Sequence, residues 1–337
     1  MVRQEVRGPG DNTPRVSCIS HIRIIRSAGY GYFILWQERV NVRIWKMLGK
    51  VLVPTDFSDN AKKIILCLTK IPGINEIVLQ HVVDATHYTK RGWTHEPHIR
   101  NAKIQLEEEK MLLESLGFTV TVAVDVITSG DIATAILKRA KNENVSCIIM
   151  GSRGRGLIKG LVLGSVSADV LRFGKTHLLL LKNDLTGELE GAVFERFCPG
   201  IFSRVLFPTD FSKPAEMALS FLKDLDGLGE IHVLHVVTKG ETKEEVESNI
   251  EEATKKLEEI ISNLTGAGLS VKIHLRLGRP TDEIVSFVES EDISLVLLSS
   301  HGKGFLKGLI VGSTTLGVAI HTNKPLMVIR APVTGSE

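Results

Sequence analysis

The sequence predicts two tandem, doubly wound α/β domains, each built on a five-stranded parallel sheet. Three observations carry this reading. The chain is close to one unit written twice, each unit alternates short apolar runs with helical patterns, and the apolar runs are nearly continuous Val, Ile and Leu. Strict strand–helix alternation implies right-handed crossovers between parallel strands. Uninterrupted apolar strands imply a sheet covered on both faces.

The duplication is read directly. "KVLVPTDFSDNA" (Lys50 to Ala61) matches "RVLFPTDFSKPA" (Arg204 to Ala215) at an offset of 154, and "LQHVV" from Leu79 matches "VLHVV" from Val233 at the same offset. "GSRGRGLIKGLVLGS" (Gly151 to Ser165) matches "SSHGKGFLKGLIVGS" (Ser299 to Ser313) at 148, with eight of fifteen positions identical. Gly130 and Gly278 share that offset, so copy one carries six extra residues between Val83 and Gly130. We expect them in the polar connection His87 to His98, where insertion is tolerated.

In copy one the strand candidates are Val51 to Pro54, Ile77 to Val83, Thr119 to Val126, Cys147 to Met150 and His177 to Leu181. The helix candidates between them are Asn60 to Lys70, Ile99 to Leu116, Ile132 to Glu143 and Ser165 to Phe173. Copy two repeats the order, with a long E/K-rich amphipathic helix at Lys243 to Leu264. The organisation expected is a tail at 1–46, domains at 47–186 and 204–333, and a linker at 187–203.

Composition sets the class. A chain of 337 residues fits two domains of ordinary size, and 43% hydrophobic with 24% charged residues suits a folded, soluble protein. The tail has eight Lys/Arg against three Asp/Glu, which leaves residues 47–337 at −3, not the basic surplus of a nucleic-acid binder. The tail also holds Trp36, Trp45, Tyr30 and Tyr32 but no sustained periodicity, so we expect a disordered segment or an over-extended start. Cys18, Cys67, Cys147 and Cys198 stand far apart, which argues for a reducing interior without a disulfide framework or structural metal. With no apolar run of membrane-span length, the expected location is cytoplasmic.

Chemistry is expected beyond the carboxyl ends of the strands, where open parallel sheets bind ligands. Two loops of each copy end there: "PTDFS", and the glycine-rich stretch. The latter reads Gly151-x-x-Gly154, nine residues, then Gly164-Ser165 opening a helix whose free N–H groups favour an anion. Arg153, Arg155 and Lys159 add positive charge. A tight turn whose glycines serve only packing is the competing reading. Asp56 and Asp210 suit ribose hydroxyls or a phosphate-bound metal, or else a helix cap, for which Ser58 and Ser212 stand better placed. His81 and His235 read as packed, hydrogen-bonded strand residues, and His87, His95 and His98 as a solvated loop rather than a metal site. "GKT" at Gly174 lacks the earlier glycine of a P-loop, and no GxGxxG follows the first strand.

"VLVPTDFS", "HVV", "IIMGSRG" and "GSVSADVL" together resemble the universal stress protein family, over about residues 48–183 and 203–331. The resemblance implies Rossmann-like α/β domains of strand order 3-2-1-4-5, one branch of which binds ATP through G-x-x-G-x9-G-[S/T]. Copy one carries that pattern at Gly151, Gly154, Gly164 and Ser165. The resemblance further implies Pro54, Thr55 and Asp56 along the adenosine, Val82 at adenine, and Met150 and Val166 flanking the phosphates. Copy two offers Pro208, Thr209, Asp210, Val236, Gly302, Gly312, Ser313 and Thr314, but Ser299 replaces the first glycine and puts a Cβ where backbone must approach a ligand.

The expected function is therefore a tandem stress-response protein that binds ATP, with Mg²⁺ able to bridge the phosphates, and whose copies pack as an internal pseudo-dimer. A homo-oligomer and a protein partner fit the same reading; nucleic acid and membrane do not. Two alternatives stay open: a slow ATPase, and a nucleotide-free interaction scaffold, the latter best suited to copy two. HIGH-like and SGGxDS-like loops of adenylyl-transfer enzymes are absent, and no general base stands beside the glycine loop in sequence.

Overall fold

The computed structural model describes residues 48–86, 96–153, 163–182, 200–225, 227–238, 240, 242–302 and 311–331, and three short strands nearer the start. Those strands belong to a separate compact unit, Met1–Ile44. Ser17–Ile19 (β1), Ile22–Arg26 (β2) and Tyr32–Leu35 (β3) pair there as an antiparallel sheet, in a segment whose sequence led us to expect no regular structure.

Both copies lie in the second unit, Trp45–Glu337. Copy one runs Gly49–Pro54 (β4), Asp59–Cys67 (α1), Ile74–Asp84 (β5), Glu96–Ser115 (α2), Thr119–Ile127 (β6), Ile132–Asn142 (α3), Cys147–Gly151 (β7), Ser165–Phe173 (α4) and His177–Leu181 (β8). Copy two runs Arg204–Pro208 (β9), Lys213–Lys223 (α5), Glu230–Val237 (β10), Lys243–Gly266 (α6), Ser270–Leu277 (β11), Pro280–Ser290 (α7), Leu295–Ser299 (β12), Ser313–His321 (α8) and Leu326–Ile329 (β13). Within each copy the strand order is 3-2-1-4-5 and every pairing is parallel.

The two five-stranded sheets are one. β8 pairs with β13 antiparallel, giving a ten-stranded sheet with Leu179 opposite Met327. These two residues are equivalents under the 148 offset, so a pseudo-twofold axis passes between them. Strand alternation then sends Leu179, Leu181, Met327 and Ile329 into the core under α1, α2, α5 and α6. Leu178, Leu180, Leu326 and Val328 enter the opposite core, under α3, α4, α7 and α8. Each core runs through both copies.

The register corrects the placement of the extra residues. Val78 pairs with Thr121 and His232 with Lys272, which relates β6 to β11 by 151 rather than 154 or 148. Three of the additional residues therefore precede β6, and three lie between it and Gly130. Cys147 is a buried free thiol, whereas Cys67 is disulfide-bonded, which departs from the expectation drawn from cysteine spacing. Among the described residues, no helix is long and apolar enough to cross a membrane.

Candidate functional site

Each copy opens a cavity where its first and fourth strands end. Hydrogen bonds within the PTDFS turn shape the rim. Thr55 N–H continues the sheet by donating to Gln80 O at 2.8 Å, and Thr209 N–H donates to Leu234 O at 2.9 Å. Thr55 Oγ1 then accepts from Phe57 N–H, and Thr209 Oγ1 from Phe211 N–H, both at 3.1 Å. Asp56 Oδ1 accepts from Ser58 N–H at 3.0 Å, and Asp210 Oδ1 from Ser212 N–H at 3.1 Å. Ser58 and Ser212 are the helix caps, as expected, accepting from Ala61 N–H and Ala215 N–H.

So tight a turn puts a bulky residue into left-handed backbone, at φ 60° for Phe57 and 58° for Phe211. A histidine of the second strand holds each one. His81 and His235 stack on these phenylalanines with ring centroids 4.3 Å apart. Their Nδ1 atoms donate to Thr55 O at 2.8 Å and Thr209 O at 2.7 Å. The histidines are hydrogen-bonded as expected, yet they are half-buried and belong to the cavity walls rather than to the closed core.

On the other side stands the glycine loop. Ser152 N–H donates to Leu181 O at 2.8 Å and Gly164 N–H to Ser152 O at 2.7 Å; Ser300 to Ile329 and Gly312 to Ser300 repeat both bonds. Gly164 and Gly312 are the N-caps of α4 and α8, and neither helix has a side-chain cap there. Their first-turn N–H groups face the cavities with the positive end of the helix dipole. Close approach explains the small residues. A Cβ on Gly164 would lie 3.3 Å from Ser152 O, and one on Gly302 would collide with Asp210 Oδ2.

The copy-one cavity measures about 330 Å³ and is lined by Pro54, Thr55, Asp56, Val82, Met150, Gly151, Gly164, Ser165 and Val166 among others. Every described site residue of that copy is thus brought together; Gly154 lies outside the described residues, as do Arg155 and Lys159. The copy-two cavity is larger, about 540 Å³, and gathers Pro208, Thr209, Asp210, Val236, Ser299, Gly302, Gly312, Ser313 and Thr314 without exception. Ser299 does not occupy it as a plug. Its Oγ donates back to His301 O at 2.9 Å within the loop, and Thr315 Oγ1 donates to Ser299 O as Ser167 Oγ does to Gly151 O.

The two sites differ in charge and polarity. Arg153 in the first corresponds to His301 in the second, and His301 is held below the ordinary histidine range by burial, helped by Arg330 and opposed by Asp210. Gln80, fully buried in the first, corresponds to Leu234. Gln80 Nε2 donates to Asp125 Oδ2 at 2.7 Å, and Arg139 clamps that carboxylate through Nη2 at 2.6 Å and Nε at 3.1 Å. Behind the PTD turn sits Glu109, 8% exposed, receiving a long 3.5 Å bond from Thr55 Oγ1. Burial pushes its carboxyl up to about 7, against the pull of Thr55 and Lys62. Among the described residues, no group of three His, Cys, Asp or Glu is placed to hold a metal ion. Of the three histidines expected in a solvated loop, only His98 is described, and it stands exposed in the first turn of α2 rather than in a loop.

The sequence model of the universal stress protein family matches residues 47–182 and again 202–330. The chain belongs to that family. A universal stress protein of Methanocaldococcus jannaschii is 34% identical over 155 residues, covering 39% of this chain and 96% of its own length. One from Synechocystis is 27% identical over 273 residues, 77% of this chain and 80% of its own, so the tandem arrangement has a counterpart of similar extent. The crystal structure of a universal stress protein from Archaeoglobus fulgidus aligns over 86% of this chain and 98% of its own, at 28% identity and a TM-score of 0.63. Gln80 and Glu109 are particular to the copy-one site of this universal stress protein and were not singled out by motif. Glu109 was detectable all the same, because Ala102, Leu106, Glu109 and Leu113 follow one helical stripe.

Proposed function

We propose that this universal stress protein binds ATP in its copy-one cavity, and that the copy-two cavity is competent for the same class of ligand. The observation that carries the reading is convergence: in both copies an uncapped helix N-terminus and a carboxylate-bearing turn meet across one cavity. An uncapped N-terminus takes phosphate. Ser165 and the first-turn N–H groups of α4 hold it, with Arg153 adding charge. Val82, Ile132, Ile136, Met150 and Val166 provide an apolar slot for a base, and the Asp56 carboxylate lines the same cavity as the acceptor we assign to ribose hydroxyls. Mg²⁺ enters only as the ion that accompanies the triphosphate. Binding rather than turnover is the role we assign, in regulation or protection under stress.

Equilibrium titration of purified protein with ATP tests this. Wild type should bind up to two equivalents, Gly164→Val should lose the copy-one site and Gly302→Val the copy-two site. Absence of any binding by wild type sinks the reading. Steady release of ADP at a rate of catalysis would replace it with an ATPase.

A further inference from the structure

The helices that head the two cavities are each tied down at the far end by the other copy. Lys182 follows β8 in copy one and is 2% exposed; its Nζ donates to Ala319 O, in the last turn of α8, at 2.6 Å. Arg330 follows β13 in copy two and is 7% exposed; its Nη2 donates to Leu171 O at 2.6 Å and Val170 O at 3.4 Å, in the last turn of α4. Lys182 and Arg330 are equivalents under the 148 offset, and so are Leu171 and Ala319. The contact is therefore made twice, crossed, about the pseudo-twofold axis.

Placement makes the contact more than packing. Burying a cation is costly, and burial alone pulls Arg330 down to about 10. The chain carries that cost twice, where last-turn carbonyls and the negative end of a dipole best offset it. One copy uses lysine and the other arginine, so what they share is charge and reach. The neighbouring residues close a circuit: Leu181 O and Ile329 O, each one position earlier, accept from Ser152 and Ser300 in the glycine loop of their own copy. Within two residues, the end of each fifth strand thus holds its own glycine loop by backbone and the opposite helix by side chain.

We propose that Lys182 and Arg330 are positioning residues that act across the junction, Arg330 setting the grip of the copy-one cavity on an anion and Lys182 that of copy two. This rests on the nucleotide reading for its ligand, but not for its geometry. A nine-residue helix is about 13 Å long. The cation therefore works by fixing where the helix points, not by its field at the cavity.

Two measurements on the full chain decide it. The first is amide hydrogen exchange without ligand: Arg330→Met should speed exchange in α4 and spare α8, and Lys182→Met should do the reverse. The second is ATP titration with one site disabled. With Gly302→Val present, Arg330→Met should weaken the copy-one site by roughly threefold to tenfold, while Lys182→Met leaves it unchanged. With Gly164→Val present the pattern should invert, and Arg330→Lys and Lys182→Arg should restore most of the affinity. Loss confined to the copy that carries the substitution, or equal in both, overturns the proposal. Should wild type bind no ATP, the ligand assignment fails by itself and the crossed exchange pattern still decides the positioning role.

Discussion

A carboxyl group buried behind the rim of a cavity makes stability depend on pH with a sign that its surroundings dictate. Glu109 sits against Thr55 with Lys62, Asp56 and Glu108 as its charged neighbours, and its Oε2 is buried with no hydrogen-bond partner. Its folded pKa of about 7 lies above the ordinary 4.5, so the folded protein favours the protonated form. The stability it contributes is complete below about pH 4.5 and is lost as pH rises through about 7. A change of that size corresponds to on the order of 3 kcal/mol. Glu109→Gln should remove this dependence: in urea titrations the variant gains on wild type between pH 4.5 and 7 and holds a constant lead above. Parallel curves for the two proteins would show that the carboxyl titrates in the fold where it does in the unfolded chain, and that burial does not shift it. His177, His274 and His301 act oppositely. All three are held below 6.5, chiefly by burial, so the stability tied to their neutral forms is present above about pH 6.5 and lost as pH falls through their folded values. In copy two the Glu109 position is Ile260, packed against the core, so the alkaline penalty belongs to copy one alone.

Elements come next, and here local sequence decides most of the outcome. Ser58 and Ser212 each stand three residues before the amide they cap, at 3.2 and 3.3 Å. Ser58→Ala and Ser212→Ala should each cost about 1 kcal/mol of unfolding free energy, whereas Ser165→Ala should cost little stability because the cap of α4 is Gly164. Chemical denaturation of the three variants checks the ranking. The same local signals made much of the fold legible from sequence. His177–Leu181 and Ser165–Phe173 have the bounds that their apolar run and glycine-serine start imply, and α6 exceeds the expected span by two residues. Legibility fails where tertiary register governs. The split of the extra residues around β6 follows from strand pairing, and the Phe57 and Phe211 backbone conformation from the closure of a turn against a histidine. Neither leaves a trace in composition. Glu109 is the intermediate case: its letter says solvent, and its place in the Ala102–Leu106–Leu113 stripe says core.

At the scale of the whole molecule, the decisive feature is the β8–β13 joint, which makes one object of two copies. Leu178 to Leu180 pair with Leu326 to Val328, all fully buried, and both cores continue across them. Separating the copies would strip both strands of their partners and uncover apolar side chains on each face of the sheet. It would also leave the buried charges of Lys182 and Arg330 without the carbonyls they bind. Each of these costs is several kcal/mol, comparable to the whole stability of an ordinary domain. One copy should therefore not persist folded once the other has opened, and the main thermal transition should be cooperative over both. Calorimetry measures this directly. At about 0.7 kcal/mol per residue, the described tandem body should unfold with an enthalpy on the order of 200 kcal/mol, and the van't Hoff value should match it. A van't Hoff enthalpy near half the calorimetric one would mean that the copies unfold independently, and that the joint is an ordinary contact between two self-sufficient domains. Arg330→Met gives the graded form of the test, since weakening one crossed tie should lower the van't Hoff enthalpy toward that half value before it abolishes folding.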